Sequence, residues 1–510
     1  MTGQIEVGRP LTIEDIMAIA SGDGVAFPEA SQFRDRISIS RARFDEVLAK
    51  QLPIYGVNTG FGDSCTNTVS REYIDQLPIN ITRYHSCGLG RHFGVRQVRA
   101  IQGVRLASLC SGYSAVSFEL LEALAAQINL GIAPRIPEEG SVGASGDLTP
   151  LAYVASSLIG EGEVEFQGVV KASGDVYVSL DRLPYKLKPK EGLALMNGTA
   201  VMTALACEAY QRADTVAKLA SLITALTVLG IKGNPAHFAL QIFEAKPHPG
   251  QFKVAKTIHD LVSRYQAEGQ NSRIQDRYSI RCAPHVIGVL ADYMPSFRKT
   301  IETEINSAND NPLFDPETST ILHGGNFYGG HIAFVMDAMK TLVANIGDLL
   351  DRQMANLVDT KMNHGLPANL VGVESDEKSI HHGFKALQIA LSAWTAEALK
   401  LTMPASVFSR STECHNQDKV SMGTIAARDC LRVLELVEQV VAGSLVIANQ
   451  ACYLRIRQGE LTQESFGDKL LSARKLLEEY SKPLVEDRAL EKELRQILTA
   501  IRGGVFSDLV

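Results

Sequence analysis

The stretch SVGASGDLTPLAYVASSLIG, residues 141–160, decides how the rest of the sequence is interpreted. Gly143 and Gly146 bracket a pair of small residues, so the backbone here can take conformations that are closed to bulkier residues. An apolar run follows, and Pro150 occupies a position that the first turn of a helix tolerates. Asp147 lies just before this run, where a carboxylate can cap free N–H groups. The stretch therefore predicts a tight glycine turn that leads into a buried helix.

A turn of this composition can also carry chemistry. If it is bent tightly enough, the amide nitrogen of Gly146 can attack the carbonyl carbon of Ala144. Loss of water, including the Ser145 hydroxyl, then gives 4-methylidene-imidazol-5-one (MIO), a five-membered electrophilic ring made from the chain itself. Strained backbone of this kind is a recognised feature of functional sites. An ordinary turn that caps a helix explains the same residues and stays open as the alternative.

The segment GSVGASGDLTPLA closely resembles the signature of the aromatic amino acid ammonia-lyases and aminomutases, which act on histidine, phenylalanine or tyrosine. Further motifs similar to those of this family follow in the same order from about Tyr55 to about position 450. The resemblance implies a mostly α-helical fold and a homotetramer in which three subunits contribute to each active site. It also implies that the self-made MIO ring is the only cofactor.

The composition is that of an ordinary globular protein. The 510 residues are 45% hydrophobic and 21% charged, with a formal net charge of −7, and no basic patch suggests nucleic acid. We expect no secretory signal and no membrane span, because we find neither a basic segment with an apolar core nor an apolar run of about 18 residues. The eight cysteines form no CxxC pair, so we expect free thiols in a reducing cytoplasm and no metal site.

Long helices dominate the second part of the sequence. Apolar residues recur every three to four positions over 205–230, 331–362, 385–401 and 418–459. Helices this long and this apolar are typical of a bundle and of a subunit interface. The fold class is therefore mainly α, a long-helix bundle with a smaller N-terminal domain that carries the MIO-forming loop.

Two domains are expected from this pattern. Residues 1–200 form an N-terminal domain with the mobile tyrosine loop and the MIO-forming loop, and residues 201–510 form the long-helix bundle with a C-terminal helical cap. Within the first domain, 11–50 predicts short helices, with Thr12 and Asp15 as a capping box. Residues 162–190 alternate apolar and polar side chains and predict a small β-hairpin or strands.

The reaction needs a base besides the electrophile, because the β-hydrogen of an amino acid is a poor acid and ammonia is a poor leaving group. The resemblance places the catalytic tyrosine at Tyr55, in the glycine-rich loop 52–66. A free tyrosine titrates near pH 10, so we expect positive charge or a helix N-terminus nearby to ease its ionisation. A buried aromatic side chain beside a turn is the alternative interpretation.

The substrate carboxylate needs an anchor, and Arg281 in QDRYSIRCAP offers a guanidinium fork that binds a carboxylate bidentately. A surface arginine is the commoner case for an isolated position. The resemblance adds Tyr278, which is important for activity in the family and lies next to the ring, and Gln275, which lies nearby. His285 departs from the family pattern, which usually has Gln there.

Three further residues are carried over from the resemblance. Asn197 in EGLALMNGTA matches the asparagine that bonds the ring carbonyl, although Asn-Gly is also a frequent turn pair. Asn311 in NSANDNPLF resembles a residue near the substrate carboxylate, although the segment alone predicts a helix-ending turn. Phe327 in HGGNFYGG matches a phenylalanine packed near the ring, and Tyr328 stands where His or Gln is usual.

Tyr84 and His85 align with the selectivity pair of the family. Phenylalanine lyases tend to have Phe-Leu there, one group of tyrosine lyases has His-Leu, and histidine lyases and other tyrosine lyases have Ser-His. A histidine that faces the aryl group can hydrogen-bond a phenol or an imidazole, whereas a phenyl ring leaves it unpaired at a cost of about 1–3 kcal/mol. This argues against phenylalanine, unless His85 is a core histidine bonded elsewhere.

Glu413 and Gln417 in STECHNQDKVSMG are the second specificity signal. Glu413 resembles the glutamate that lies near the substrate amine in phenylalanine lyases. Histidine lyases carry Glu where Gln417 stands, so this position argues against histidine. Neither the argument from His85 nor the argument from Gln417 excludes L-tyrosine, so it is the predicted substrate. The predicted reaction gives trans-4-coumarate and ammonia. A histidine ammonia-lyase that gives urocanate, an aromatic 2,3-aminomutase that gives a β-amino acid, and a non-enzymatic helical protein that kept the scaffold are the alternatives.

Overall fold

The protein is mainly α-helical, as the sequence predicts. A computed structural model describes residues 3–266, 274–506 and 509. The helices are α1 (Ile13–Ser21), α2 (Ser31–Ala49), α3 (Leu77–His85), α4 (Val95–Leu109), α5 (Phe118–Leu130), α6 (Leu148–Leu158), α7 (Ser173–Ser179), α8 (Glu191–Met196), α9 (Ala200–Gly230), α10 (Leu240–Glu244), α11 (Pro249–Leu261), α12 (Tyr278–Arg281), α13 (Ala283–Ile305), α14 (Gly330–Val358), α15 (Lys385–Lys400), α16 (Gly423–Arg457), α17 (Asp468–Tyr480) and α18 (Glu491–Arg502).

The strands are short and form small separate sheets. They are β1 (Gln4–Glu6), β2 (Gly24–Ala26), β3 (Leu89–His92), β4 (Ala133–Pro134), β5 (Pro137–Glu139), β6 (Glu163–Phe166), β7 (Val169–Ala172), β8 (Leu313–Asp315) and β9 (Thr320–Leu322). β1 pairs with β2 in parallel, and the antiparallel sheets are β3-β5, β4-β6-β7 and β8-β9. The β6-β7 hairpin confirms the strands expected within 162–190. The residues after it form α7, whose buried side chains Ser173, Val176 and Tyr177 have helical spacing.

The chain divides into two compact units, each built from separate segments. The first comprises Met1–Glu208, Arg298–Asp337 and Pro404–Arg428, and the second comprises Ala209–Phe297, Ala338–Met403 and Asp429–Val510. The boundary at 200/201 expected from the sequence stays a prediction about domain organisation.

The first unit is tied together by helix ends that meet buried polar groups. Thr12 and Asp15 form the predicted capping box of α1. Arg99 of α4 is buried, and its guanidinium donates to the carbonyl oxygens of Ile19, Asp23 and Ile128 at 2.8, 2.8 and 2.7 Å. These carbonyls lie at or just beyond the C-terminal ends of α1 and α5, where backbone acceptors lack helical partners. The single guanidinium of Arg99 therefore donates hydrogen bonds to the carbonyl oxygens at both helix ends.

Three long helices pack closely in the second unit. A Cβ atom added at Gly230 of α9 would lie 2.9 Å from Ala451 of α16 and 3.0 Å from Leu357 of α14. Gln353 of α14 donates to Thr224 Oγ1 of α9 at 2.9 Å. α9 holds an 18-residue window of mean hydropathy 1.4, of which 78% is buried, and within the described residues only this helix is long and apolar enough to cross a membrane. Its burial is typical of a core helix, and the close packing gives the bundle expected from the apolar periodicity.

Candidate active site

The turn at 143–146 is tightly bent in the first unit. Gly143, Ser145 and Gly146 have φ values of +79°, +47° and +81°, a left-handed region that is unfavourable for a non-glycine residue such as serine. Gly198 N donates to Ser145 O at 3.1 Å, and Asp147 N donates to Gly198 O at 2.7 Å. A Cβ atom at position 146 would lie 2.1 Å from Gly198 O, so this turn requires glycine there.

The geometry of this turn fits the chemistry proposed for it. The backbone hydrogen bonds to Gly198 use Ser145 O and Asp147 N, and in the described part of the chain the Gly146 N–H donates to no protein acceptor. Attack by Gly146 N on the Ala144 carbonyl therefore breaks no hydrogen bond of that nitrogen. Ala144 and Ser145 are half-buried, and Gly146 is buried. The residues thus fit a ring formed in place.

Asp147 caps a helix, but a different one from the helix it precedes. Its side chain makes no capping bond to α6. Instead Oδ2 accepts from the amides of Val201 and Met202, at 2.9 and 3.0 Å, in the first turn of α9, and Oδ1 accepts from the Thr424 hydroxyl. Burial raises the pKa of this carboxyl to about 6, although these hydrogen bonds act in the opposite direction and lower it. The turn is thereby fixed to the start of α9, and the expected capping of its own helix is wrong.

Tyr55 lies in the glycine-rich loop, and its hydroxyl accepts a hydrogen bond from Gly62 N at 2.9 Å. Burial raises the pKa of Tyr55, the Gly62 amide opposes this shift, and the nearby Glu413 and Cys65 raise the pKa further. Positive charge or a helix N-terminus that lowers the pKa of the phenol was expected, but among the described residues the pKa of Tyr55 is raised. The Gly62 amide is the group in this unit that favours the phenolate.

Glu413 begins a tight loop whose ends are bonded to each other. Thr412 N and Gln417 O are 3.0 Å apart, Gln417 N and Thr412 O are 3.2 Å apart, and the Thr412 hydroxyl donates to Gln417 Oε1 at 2.8 Å. Glu413, Cys414 and His415 have φ values of +51°, +53° and +65°. The Glu413 carboxylate accepts from Asp63 N, at 3.0 and 3.1 Å to its two oxygens. The loop therefore contacts the segment that follows Tyr55.

Tyr84 and His85 end α3 in the same unit. The ring centroids of Tyr84 and His85 are 4.6 Å apart, and the Tyr84 ring lies 6.4 Å from that of Phe61 in the Tyr55 loop. Burial raises the pKa of Tyr84, with smaller contributions from Tyr55 and Glu413. Burial lowers the pKa of His85 to about 4, so its imidazole is neutral near pH 7. The structure thus brings the proposed specificity pair, Tyr84 and His85, close to the proposed base.

Asn197 belongs to a buried polar network. Its Nδ2 donates to Asn311 O at 2.7 Å and to Asp310 Oδ1 at 3.4 Å, and its buried Oδ1 has no hydrogen-bond partner among the described residues. Asp310 also accepts from Asn311 N at 2.7 Å and forms an ion pair with Lys190, whose side chain is fully buried. Burial lowers the pKa of Lys190, and the Asp310 charge opposes this. The hydrogen bond from Asn197 to the ring stays a prediction.

Two polar residues of this region, Lys190 and Asp310, were not found from the sequence. Asp147 was assigned to the wrong helix. The available signal for Lys190 was its place, with Glu191, directly before the apolar run GLALM, since charges buried beside such a run are paired. Phe327 is half-buried in the segment before α14, and that segment is tied to Asn311, whose Oδ1 accepts from Gly324 N at 2.9 Å. Its packing near the ring stays a prediction.

Gln275, Tyr278 and Arg281 belong to the second unit. The Arg281 guanidinium carbon lies 4.6 Å from the centre of the Tyr278 ring, and Arg281 Nε donates to Asp276 O at 3.1 Å. Tyr278 is 73% exposed, and Gln275 is also exposed. The buried His285 Nδ1 has no hydrogen-bond partner in the part of the chain that the structure describes, and burial together with Lys246 and Arg281 lowers the pKa of His285. Arg281 and Tyr278 therefore act as one stacked pair.

Within residues 3–266, 274–506 and 509, no group of three or more His, Cys, Asp or Glu side chains is arranged to hold a metal ion. The eight cysteines are free thiols.

The helical fold and the strained Ala-Ser-Gly turn are the features expected of an enzyme of the ammonia-lyase and aminomutase type. The model of the aromatic amino acid lyase family matches residues 11–477. The chain therefore belongs to this family.

Named relatives of this family span the whole chain. It is 32% identical to the histidine ammonia-lyase of Treponema denticola over 504 residues, which cover 99% of this chain and 97% of that protein. It is 34% identical to the tyrosine ammonia-lyase of Cupriavidus metallidurans over an alignment of 526 positions, which covers 99% of this chain and 97% of that protein. The crystal structure of a tyrosine aminomutase from Streptomyces globisporus superposes with a TM-score of 0.91 at 32% identity, covering 99% of this chain and 98% of that one.

Proposed function

We propose that this enzyme eliminates ammonia from L-tyrosine to give trans-4-coumarate. The observation that carries the choice of substrate is His85, which burial keeps neutral and whose ring lies against that of Tyr84 near the Tyr55 loop. A neutral imidazole both donates and accepts a hydrogen bond, so it suits a phenol hydroxyl and has no polar partner on a phenyl ring. Gln417 is uncharged, which suits a phenol better than an imidazole.

The residues of the chain take the following roles in this proposal. The MIO ring formed from Ala144, Ser145 and Gly146 supplies the electrophile for the substrate amine. Tyr55 accepts the β-proton at its Oη, and the Gly62 amide stabilises the phenolate that this requires. Arg281 binds the substrate carboxylate with its guanidinium fork.

The proposal for the assembly follows the family resemblance. The active form is a homotetramer with active sites shared between subunits, and it acts in the cytoplasm on a free aromatic amino acid. Large exposed apolar side chains such as Phe334, 68% exposed, and Ile389, 60% exposed, support burial against another subunit. Light scattering on the eluted peak of a sizing column tests the tetramer.

A competition experiment tests the substrate. The purified enzyme receives equimolar L-tyrosine, L-histidine and L-phenylalanine, and the products are separated; Ser145→Ala is the control that cannot form the ring. Mainly coumarate supports the proposal, and mainly urocanate refutes the argument from His85 and Gln417. His85→Leu is expected to shift the ratio of kcat/KM for phenylalanine over tyrosine by about tenfold or more, from the 1–3 kcal/mol cost of an unpaired buried polar group.

A 2,3-aminomutase is the second candidate, supported by the likeness to the tyrosine aminomutase structure. Both activities use the same residues, and they differ in whether ammonia returns to the β-carbon. Formation of β-tyrosine in the same incubation identifies the mutase.

A further inference from the structure

Two adjacent amides link the Tyr55 hydroxyl to the Glu413 carboxylate. Gly62 N donates to Tyr55 Oη at 2.9 Å, and the next amide, Asp63 N, donates to both oxygens of Glu413 at 3.0 and 3.1 Å. Planar peptide groups leave only two soft dihedral angles between successive amides. Whatever fixes Asp63 N therefore restricts the amide that holds the phenol.

The backbone on both sides is shaped for this contact. Gly62 has φ +58°, and a Cβ atom there would lie 2.3 Å from Glu413 Oε2, so only glycine leaves room for the carboxylate. On the other side, Glu413 and the two residues after it are all left-handed, although none is glycine. Such conformations cost free energy and persist where the surroundings impose them. The Thr412–Gln417 bonds close that loop and present Glu413 to the Tyr55 loop.

We propose that Glu413 is a positioning residue that holds the Tyr55 loop through Asp63 N–H. This inference rests on the proposed function for its kinetic consequences, and it differs from the role near the substrate amine that the family resemblance implies. The carboxylate uses both oxygens on a backbone amide of its own chain, a charge-assisted hydrogen bond that is stronger than a neutral one.

The same carboxylate has an electrostatic effect on the base. The titratable groups that act on Tyr55 are Glu413 and Cys65, and Tyr84 in turn responds to both Tyr55 and Glu413. A negative Glu413 disfavours the phenolate. Removing its charge should therefore loosen the loop and, separately, ease the ionisation of Tyr55.

Hydrogen exchange of the substrate-free protein tests the contact directly. In Glu413→Gln and Glu413→Asp, the amides within 56–66 should exchange about tenfold faster, because a charge-assisted bond is lost or lengthened. Glu163→Gln is the matched control, an exposed glutamate at the start of β6 in the same unit, and should leave this segment unchanged. Exchange at the wild-type rate in Glu413→Gln overturns the proposal, whatever the activity.

Kinetics then separate positioning from substrate binding. For Glu413→Gln with L-tyrosine we expect kcat at high pH to fall about tenfold with KM within about twofold, the loss expected for one charge-assisted hydrogen bond. The acidic limb of the rate profile should move to lower pH, and in Glu413→Asp, which keeps the charge, it should stay in place. A KM raised about tenfold with kcat and the limb unchanged would assign Glu413 to the substrate amine instead. If the wild-type enzyme converts no aromatic amino acid, the proposed function fails while the exchange result still decides the contact.

Discussion

Gly146→Ala tests whether the strained turn depends on its approach to Gly198. The added Cβ would lie 2.1 Å from Gly198 O and 2.3 Å from Gly198 C, and these backbone atoms cannot rotate away as a side chain can. An alanine at φ +81° costs about 1–2 kcal/mol. Separation from Gly198 also breaks the hydrogen bonds through Ser145 O and Asp147 N, each worth about 1 kcal/mol. We expect the free energy of unfolding to fall by roughly 3–4 kcal/mol.

Urea unfolding measures this loss, and the near-ultraviolet absorbance of the ring reports whether it forms. Gly131→Ala is the matched control, because Gly131 has φ +71° and, apart from its own neighbours along the chain, no atom of the described residues lies within 4 Å of its added Cβ. It should cost only the conformational strain, about 1–2 kcal/mol, and keep the wild-type absorbance. Equal stability losses in the two variants, with the ring intact in both, would refute the role assigned to the Gly198 contact.

Three further predictions concern the buried Lys190–Asp310 pair and the proposed specificity residues His85 and Gln417. Lys190→Met should destabilise the protein by about 3–5 kcal/mol because it leaves Asp310 buried and unpaired, and Lys190→Met with Asp310→Asn should restore part of this loss in urea unfolding. Because burial lowers the pKa of His85 from 6.5 to about 4, the stability contributed by this group is present above pH 6.5 and is lost as the pH falls through about 4. His85→Gln should remove this part of the pH dependence of unfolding. The imidazole NMR signal of the wild-type protein should titrate near pH 4. Gln417→Glu should not raise kcat/KM for L-tyrosine, and an increase measured in steady-state assays would contradict the role of an uncharged side chain there.

Features set by neighbouring residues were predictable from the sequence. The periodic apolar segments became α9, α14, α15 and α16 because helical spacing is a local property. The Thr12 capping box formed for the same reason. The tight Ala144–Gly146 turn was predictable because glycine relaxes the local limits on the backbone.

Features that depend on residues far apart in the sequence could not be predicted from local patterns. Asp147 was expected to cap the helix that follows it, but its acceptors are taken by amides of α9 and by Thr424, 277 residues later. Positive charge or a helix N-terminus was expected near Tyr55, but its hydroxyl accepts from an amide of its own loop, and a glutamate from a far segment raises its pKa. Burial and contacts with distant segments determine these partners and the pKa shifts of Asp147 and Tyr55, and a local sequence pattern cannot predict either.

The order in which the first unit is synthesised has a consequence for when the enzyme can mature. Asp63 and its partner Glu413 are 350 residues apart in the chain, so at about 5–20 residues per second a ribosome needs roughly 20–70 s to pass from one to the other. Thr424, which binds Asp147 beside the ring-forming turn, emerges later still. The Ala144-Ser145-Gly146 segment thus leaves the ribosome long before the residues that complete its surroundings, and we expect the proposed cyclisation to follow the synthesis of nearly all of the protein.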